Sequence, residues 1–349
     1  MTAAWVVRTG RYGERDAWAL SENVAGGGWA EVPDLTPCST RADIQALVTA
    51  TFPEDSLGRR ANYTGQLWAL RGRIQPGDVM ALPMKTTGEV AIGCVTGGYE
   101  YLADEADPSK RHIIRVDWAV TDLPRSSIKQ DLLYTLGSAL TVFAPSRGHA
   151  VARLETLMRT RTDPGQLPYK PAPSLNAPSA QGEDDVDEPE ALPDIAEQAR
   201  DQILTRISET FKGHQLTVLV QAVLEAEGFV CEASTGGADG GVDIVAGRGL
   251  LGMDSPKLIA QVKSGGQVSD PVVRDLLGTM QHVGAEQGLL VAWDGVSSSA
   301  RHSLQRERFR VRLWTSSDVV DAVLRVYENL PEAIRADLPL RRVWLLAAE

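Results

Sequence analysis

Sulfur and surplus positive charge are both scarce in this chain of 349 residues. Its three cysteines, Cys38, Cys94 and Cys231, lie far apart and form no CxxC pair, which excludes a disulfide scaffold or a structural zinc site built on them. They read as reduced, half-buried small hydrophobes. Five histidines, His112, His149, His214, His282 and His302, show no metal-ligand spacing. His214, beside a helix start, reads as a cap or packing residue rather than a catalytic base. No apolar run approaches the length of a membrane span, so no membrane partner is expected. Met1 to Arg8 lacks a basic-then-apolar leader pattern, and a cytoplasmic location is the expectation. Gly236-Gly237-x-x-Gly240-Gly241 is not followed by Gly-Lys-Ser/Thr, which excludes a P-loop. Ser297-Ser298-Ser299 has no nucleophile-elbow context and reads as a helix N-cap.

The net charge of −11 argues at first against a nucleic-acid partner. Its distribution changes that. Residues 1–150 carry 15 Lys/Arg against 17 Asp/Glu, residues 201–349 carry 15 against 19, and residues 151–200 carry 5 against 10. Nearly half the excess sits in a fifty-residue connector, and both flanking parts are close to neutral. Nucleic acid responds to local patches, and Arg306, Arg308, Arg310 and Arg312 form one in sequence.

The length suffices for two domains, each with its own core. In the first, short strands are expected at Trp5–Arg8, Val79–Leu82, Val90–Val95 and Ile113–Val120. Helices are expected through Ile44, Leu47 and Val48, capped by Ser39 or Thr40, and over Arg59–Leu70. Short strands interrupted by two helices suggest a small mixed barrel. Aromatic residues are interleaved with amide and arginine donors, and stacking surfaces beside edge-reading hydrogen bonds are what an extruded base needs. Core burial competes for the same tryptophans.

Arg60-x-Asn62-Tyr63-x-x-Gln66, then Pro76-Gly77-Asp78, Ile92-Gly93-x-Val95 and the Tyr99/Tyr101 pair resemble an EVE domain of the PUA-like superfamily. The resemblance implies a mixed β-barrel over residues 1–146 that holds a modified nucleobase in an aromatic-walled pocket. Trp5, Trp29, Asn62, Tyr63 and Gln66 are the pocket candidates.

Residues 147–194 read as one helix, His149 to Arg161, followed by a connector. Its repeated prolines and the acidic run Glu183 to Glu190 contain too little apolar surface to pack. A solvated tether is the expectation.

The second domain, 195–349, begins with two helical patterns, Ile195/Ala199/Ile203/Ile207 and Leu216 to Leu224. Strands are expected at Phe229–Ala233, Val242–Ala246 and Leu258–Val262. A helix follows over Pro271–Val283, then a strand at Gly288–Trp293, a helix to Arg308, a strand at Val311–Trp314 and a helix from Asp318. Consecutive turns let the first three strands form a meander, and crossover helices add parallel strands, giving an α/β/α sheet. Asp243 is a carboxylate within one apolar strand, and Gln261 and Lys263 share a face of the next at i and i+2. Unpaired polar groups are costly in such strands, so their placement points to chemistry.

Asp239-Gly240-Gly241-Val242-Asp243-Ile244 followed by Gln261-Val262-Lys263, with Ala300 in the helix beyond the apolar strand, resembles the Mrr-type branch of the PD-(D/E)xK nucleases. The resemblance implies a restriction-endonuclease-like fold and Mg²⁺-dependent phosphodiester hydrolysis, with Mn²⁺ as a substitute. Asp243 and Gln261 would be the metal ligands, and Lys263 would orient or deprotonate the attacking water. Asp239 reads as a turn residue or a supporting acid. The family's first core helix opens with Phe-Glu, and Thr217 stands where that glutamate is expected. The overall expectation is a modification-dependent DNA endonuclease acting on double-stranded DNA as a homodimer. A nuclease fold that only binds modified DNA and a shape-specific repair or junction nuclease are the alternatives.

Overall fold

The computed structural model describes residues 2–138, 140–145, 149–166, 194–233 and 241–344. The chain divides into two units, Met1–Gln198 and Ala199–Glu349.

In the first unit the order is β1 (Ala4–Val7), α1 (Asp16–Ser21), β2 (Val24–Gly26), α2 (Arg41–Thr51), α3 (Leu57–Trp68), β3 (Val79–Pro83), β4 (Glu89–Tyr101), β5 (His112–Pro124), α4 (Gln130–Leu136), β6 (Val142–Phe143) and α5 (Ala150–Thr160). The strands form one six-stranded sheet in the order β2-β5-β4-β3-β1-β6. Pairing is parallel between β1 and β3 and antiparallel elsewhere, and β2 and β6 are its two edges. The pairing is mixed as expected, but the described strands leave two edges, so they make a half-barrel sheet rather than the closed small barrel that the strand pattern suggests. Helix α2 starts where Thr40 accepts from Asp43 N–H while Asp43 accepts from Thr40 N–H, a reciprocal cap that selects Thr40 over Ser39. Alternate strand residues such as Val79, Ala81, Val90 and Ile92 pack under α4 and α5, and Trp5, Met80, Ile114 and Val116 fill the other side. Helices α1 and α4 were not foreseen. Both are short, of six and seven residues, and such lengths leave little periodicity to read.

Two ion networks lie inside this unit. Arg153 is fully buried and is held by Asp131 at 2.8 Å and Asp163 at 2.6 Å. Glu197 meets Arg8 at 2.8 Å, Arg125 at 2.9 Å and Lys85 at 2.5 Å. Burial by itself pushes the Glu197 carboxyl up, but Arg125, Arg8 and Lys85 outweigh it and hold the group well below the usual carboxylate range.

The second unit carries α6 (Ile195–Thr210, whose first turn precedes the unit boundary), α7 (His214–Ala226), β7 (Val230–Ala233), β8 (Ile244–Arg248), β9 (Asp254–Lys263), α8 (Asp270–Val283), β10 (Gln287–Ala292), α9 (Ser298–Arg306), β11 (Val311–Trp314), α10 (Ser316–Val326) and α11 (Glu332–Asp337). Its sheet order is β11-β10-β9-β8-β7. Strands β7, β8 and β9 form the antiparallel meander, and β9, β10 and β11 run parallel through the crossovers α8 and α9. Strand alternation sorts the side chains into two layers. Ile244, Ala246, Leu258, Ala260, Val262, Leu289 and Val291 face α7 and α10, while Ile259, Leu290, Ala292 and Val311 face α8 and α9. Each fully buried aliphatic side chain there contributes roughly 1.5–3 kcal/mol.

Three boundary differences in this unit bear on its two ends. Strand β9 starts at Asp254 because its N-terminal half pairs back across the hairpin, Arg248 opposite Asp254. Helix α9 ends at Arg306, and Glu307–Arg310 form a turn. Strand β8 begins at Ile244, so Asp243 precedes it rather than lying within it. Asp239, the Gly236–Gly240 part of the glycine-rich turn and the connector residues 167–193 lie outside the described residues.

Candidate active site

Strands β9 and β10 both end where Asp243 leads into β8, because β8 runs antiparallel to β9. The carboxyl ends of parallel strands are where open α/β sheets place their ligands. Asp243 is fixed there at two points. Its backbone N–H donates to the Ala260 carbonyl at 2.9 Å, and its Oδ2 accepts from the Val262 N–H at 2.7 Å. The side chain thus takes a bond that a ladder carbonyl would otherwise make, which is why regular pairing starts one residue later. These two bonds bracket Gln261, and extending the Ile244–Ala260 register by one residue sets Asp243 opposite Gln261. Asp243 Oδ1 has no hydrogen-bond donor among the described residues.

Gln261 is 5% exposed, and its Oε1 is buried with no hydrogen-bond partner among the described residues. A buried amide oxygen left unpaired costs about 1–3 kcal/mol. Gly241 lets the amide sit where it does. It adopts φ +82°, and a Cβ there would stand 2.7 Å from Gln261 Nε2. Lys263 ends β9, half-buried, two residues beyond Gln261 and on the same strand face, about 7 Å further along. Its carbonyl accepts from Trp293 N–H at 2.9 Å, which ties the ends of β9 and β10 together. Its ammonium pairs with no carboxylate among the described residues.

Asp243 supplies a carboxylate and Gln261 an orphaned buried amide oxygen. Both are hard oxygen donors of the kind Mg²⁺ takes, so the residues present fit such an ion. The set is acid-poor. Among the described residues no group of three His, Cys, Asp or Glu could hold a metal. Thr217 is buried in the first turn of α7, in the layer opposite the face that carries Ile259 and Gln261. No hydrogen bond among the described residues joins it to Asp243, Gln261 or Lys263. Glu209 is exposed on α6.

One nearby acid escaped the sequence reading. Asp294, just past β10, accepts from the Gly266 N–H at 2.9 Å and holds the loop after Lys263 against the end of the sheet. The sequence signal was a single Asp directly after the apolar run Leu289–Trp293.

In the first unit the five base-pocket candidates fall into small groups: Gln66 is bonded to Asn62, Trp29 and Tyr63 border one core cluster, and Trp5 lies in another. Trp5 is 2% exposed in the core, its indole N–H donating to Asp78 at 2.9 Å and Arg73 lying 5.2 Å from its ring. Gln66 is buried on α3, where its Oε1 accepts from Thr141 N–H at 2.8 Å and Val142 N–H at 3.0 Å and its amide N donates to Asn62. Tyr63 packs on Phe52 at 5.2 Å and accepts from Arg59 Nε at 3.0 Å. Trp29 is half-buried between two core clusters, with φ +48°, a left-handed conformation uncommon outside glycine. Beside it His112 accepts from Tyr99 O–H at 2.8 Å and donates through Nε2 to the Val32 carbonyl at 3.0 Å, in the tautomer that satisfies both bonds. Burial lowers the pKa of His112.

No helix among the described residues is long and apolar enough to cross a membrane. No curated protein matches the chain. Among solved structures it is similar to the MspJI restriction endonuclease in complex with a 27-mer oligonucleotide, at 13% identity and a TM-score of 0.32 over 97% of this chain and 80% of that one. The DNA modification-dependent restriction endonuclease AspBHI is similar at 12% identity and a TM-score of 0.32, over 90% of this chain and 78% of that one. Residues 5–138 match DUF8426, a domain of unknown function. Residues 208–323, the stretch that holds Asp243, Gln261 and Lys263, match the Mrr_cat family of restriction endonucleases.

Proposed function

We propose that the protein is a modification-dependent DNA endonuclease whose C-terminal domain hydrolyses phosphodiester bonds with a divalent metal. The observation that carries this reading is the convergence of Asp243, Gln261 and Lys263 at one end of the sheet, inside the stretch that matches a restriction endonuclease family. Asp243 Oδ1 and Gln261 Oε1 would hold the ion, which when bound lowers the pKa of water and offsets phosphate charge. Lys263 faces the same side and would orient the attacking water and stabilise charge on the phosphate oxygens. Asp239 would be a supporting acid.

Residues 1–146 are taken as the EVE-like reader, 147–194 as the tether and 195–349 as the nuclease. Trp29, Asn62 and Tyr63 are the half-buried members of the pocket set. Trp5 and Gln66 would support the pocket rather than touch a base, because their polar atoms already have partners. A pair of nuclease domains, in a homodimer or meeting on DNA, would cut both strands of the duplex.

The acid-poor ligand set supports a second reading, a nuclease fold that binds modified DNA and cuts it weakly or not at all. Duplexes carrying plain cytosine, modified cytosines or modified adenines, incubated with the full-length protein and Mg²⁺ or Mn²⁺, separate these readings. Cleavage confined to one modified class is the expected result. Binding of a modified class without cleavage supports the second reading, and cleavage that ignores modification removes the reader assignment.

A further inference from the structure

At the other end of the second unit's sheet lies a cavity that the catalytic cluster does not use. It has a volume of about 260 Å³, the size of one small ligand. Its walls come from the end of α7, the residue before β7, the first residues of β10, the turn between α9 and β11, β11 itself and the last turn of α10. Along β9 it reaches Leu258, five residues before Lys263, or about 17 Å away. It is therefore separate from the site of Asp243 and Gln261.

The lining combines two chemistries. Four arginines, Arg308, Arg310, Arg312 and Arg325, stand against one glutamate, Glu227. Arg325 is neutralised by Glu227 at 2.6 Å, and Arg310 leans toward Glu307 at 3.4 Å. Arg308 and Arg312 are exposed and have no carboxylate partner among the described residues. Flat apolar surface completes the walls through Leu258, Trp314 and the face of Phe229 away from Arg248, whose guanidinium lies 4.4 Å from that ring's centre, with Phe309 on the turn. Phe309 is 86% exposed, with the Arg308 guanidinium 5.0 Å from its ring centre. The turn that presents it is fixed, because Arg310 N–H and Val311 N–H both donate to the Glu307 carbonyl at 2.8 Å. Packing gives no reason for a large aromatic ring at the tip of a fixed turn beside the unpaired Arg308 and Arg312. Guanidiniums bind phosphate through paired N–H donors, and aromatic faces stack on heterocyclic rings.

We propose that this cavity is a nucleotide-binding site, taking the ring among Phe229, Trp314 and Phe309 and the phosphate on Arg308 and Arg312. The ligand is a nucleotide, either free or as one unit of a DNA strand. The site does not depend on the nuclease reading, since none of its residues belongs to the catalytic set.

Calorimetric titration of the full-length protein with deoxyadenosine monophosphate, deoxyadenosine, inorganic phosphate and a single-stranded oligodeoxynucleotide tests it. The nucleotide is expected to bind at least about tenfold more tightly than either deoxyadenosine or phosphate alone, because each lacks one half of the recognition. Arg308→Ala and Arg312→Ala are expected each to weaken binding by about tenfold with the melting temperature unchanged, since both side chains are exposed. Lys263→Ala should bind as the parent does. An oligonucleotide that binds more tightly than the monomer, in an Arg312-dependent way, identifies a strand as the source, and equal affinity identifies the free nucleotide. Phosphate binding as tightly as the nucleotide, arginine variants that bind normally, or no binding of either nucleotide form would overturn the proposal.

Discussion

Two buried glutamines show how differently the two units use polar groups. Gln66 in the first unit is 7% exposed and Gln261 in the second is 5% exposed, so burial does not distinguish them. Their partners do. The Gln66 oxygen accepts two backbone N–H groups and its amide donates to Asn62, whereas the Gln261 oxygen has no partner among the described residues. Elsewhere in the first unit Glu197 and Arg153 are surrounded by opposite charges. At the strand ends of the second unit, Asp243 Oδ1 and the Lys263 ammonium are uncommitted among the described residues. A buried polar group whose bonds are all made stabilises the fold. One left with a bond unmade costs stability, and a site that binds something can recover that cost.

The largest expected effect is in the first unit. Glu197→Gln removes the charge that Arg8, Arg125 and Lys85 share, leaving Lys85 with Asp194 at 3.1 Å, and should destabilise that unit by about 3–5 kcal/mol in thermal or denaturant unfolding. The same linkage sets a pH dependence. The folded carboxyl titrates well below its ordinary value of 4.5, so its stabilisation is complete above that pH and is lost progressively as pH falls below it. A parent and variant whose acid unfolding curves coincide would contradict this.

The paired glutamine substitutions are next in size. Gln66→Met strands the Thr141 and Val142 N–H groups and should cost about 2–4 kcal/mol. Gln261→Met removes the unpartnered oxygen and should leave stability unchanged or raise it by up to about 1–3 kcal/mol, while weakening Mg²⁺- or Mn²⁺-dependent cleavage. Equal losses of melting temperature would erase the distinction between the two residues.

The smallest effect concerns His112. Burial lowers its folded pKa below the ordinary 6.5, so the unfolded chain takes up the proton first. Stability is therefore full above about pH 6.5 and falls as pH drops through the folded value. His112→Gln should flatten that part of the curve, as read by melting temperature between pH 7.5 and 5.

The meander, the parallel strands and their crossover helices were legible because each apolar run is bounded by turn residues and each core helix repeats at i, i+3 and i+4. Asp243, Gln261 and Lys263 were legible as polar residues in or beside apolar strands, and the structure brings them to one end of the sheet. Thr217 was placed by analogy alone, and it lies in the opposite layer. Pattern could not reveal that Gln261 lacks a partner or that Asp294 holds the loop after Lys263, since both depend on contacts 28 or more residues apart or on none at all. Trp5 stayed ambiguous in sequence because an indole suits a core and a pocket equally. Only the distant carboxylate of Asp78 decides that its N–H is taken.

The most direct test of the central claim is nicking of supercoiled DNA of the preferred modification class by the parent and by Lys263→Ala, at matched Mg²⁺ or Mn²⁺. Lys263 ends its strand half-buried and unpaired among the described residues, so its loss should leave melting temperature and DNA binding unchanged. The rate of cleavage should fall by about 10²–10³-fold, the scale for removing a group that stabilises transition-state charge. A Lys263→Ala protein that cuts as fast as the parent would contradict the assignment of this cluster as the hydrolytic centre.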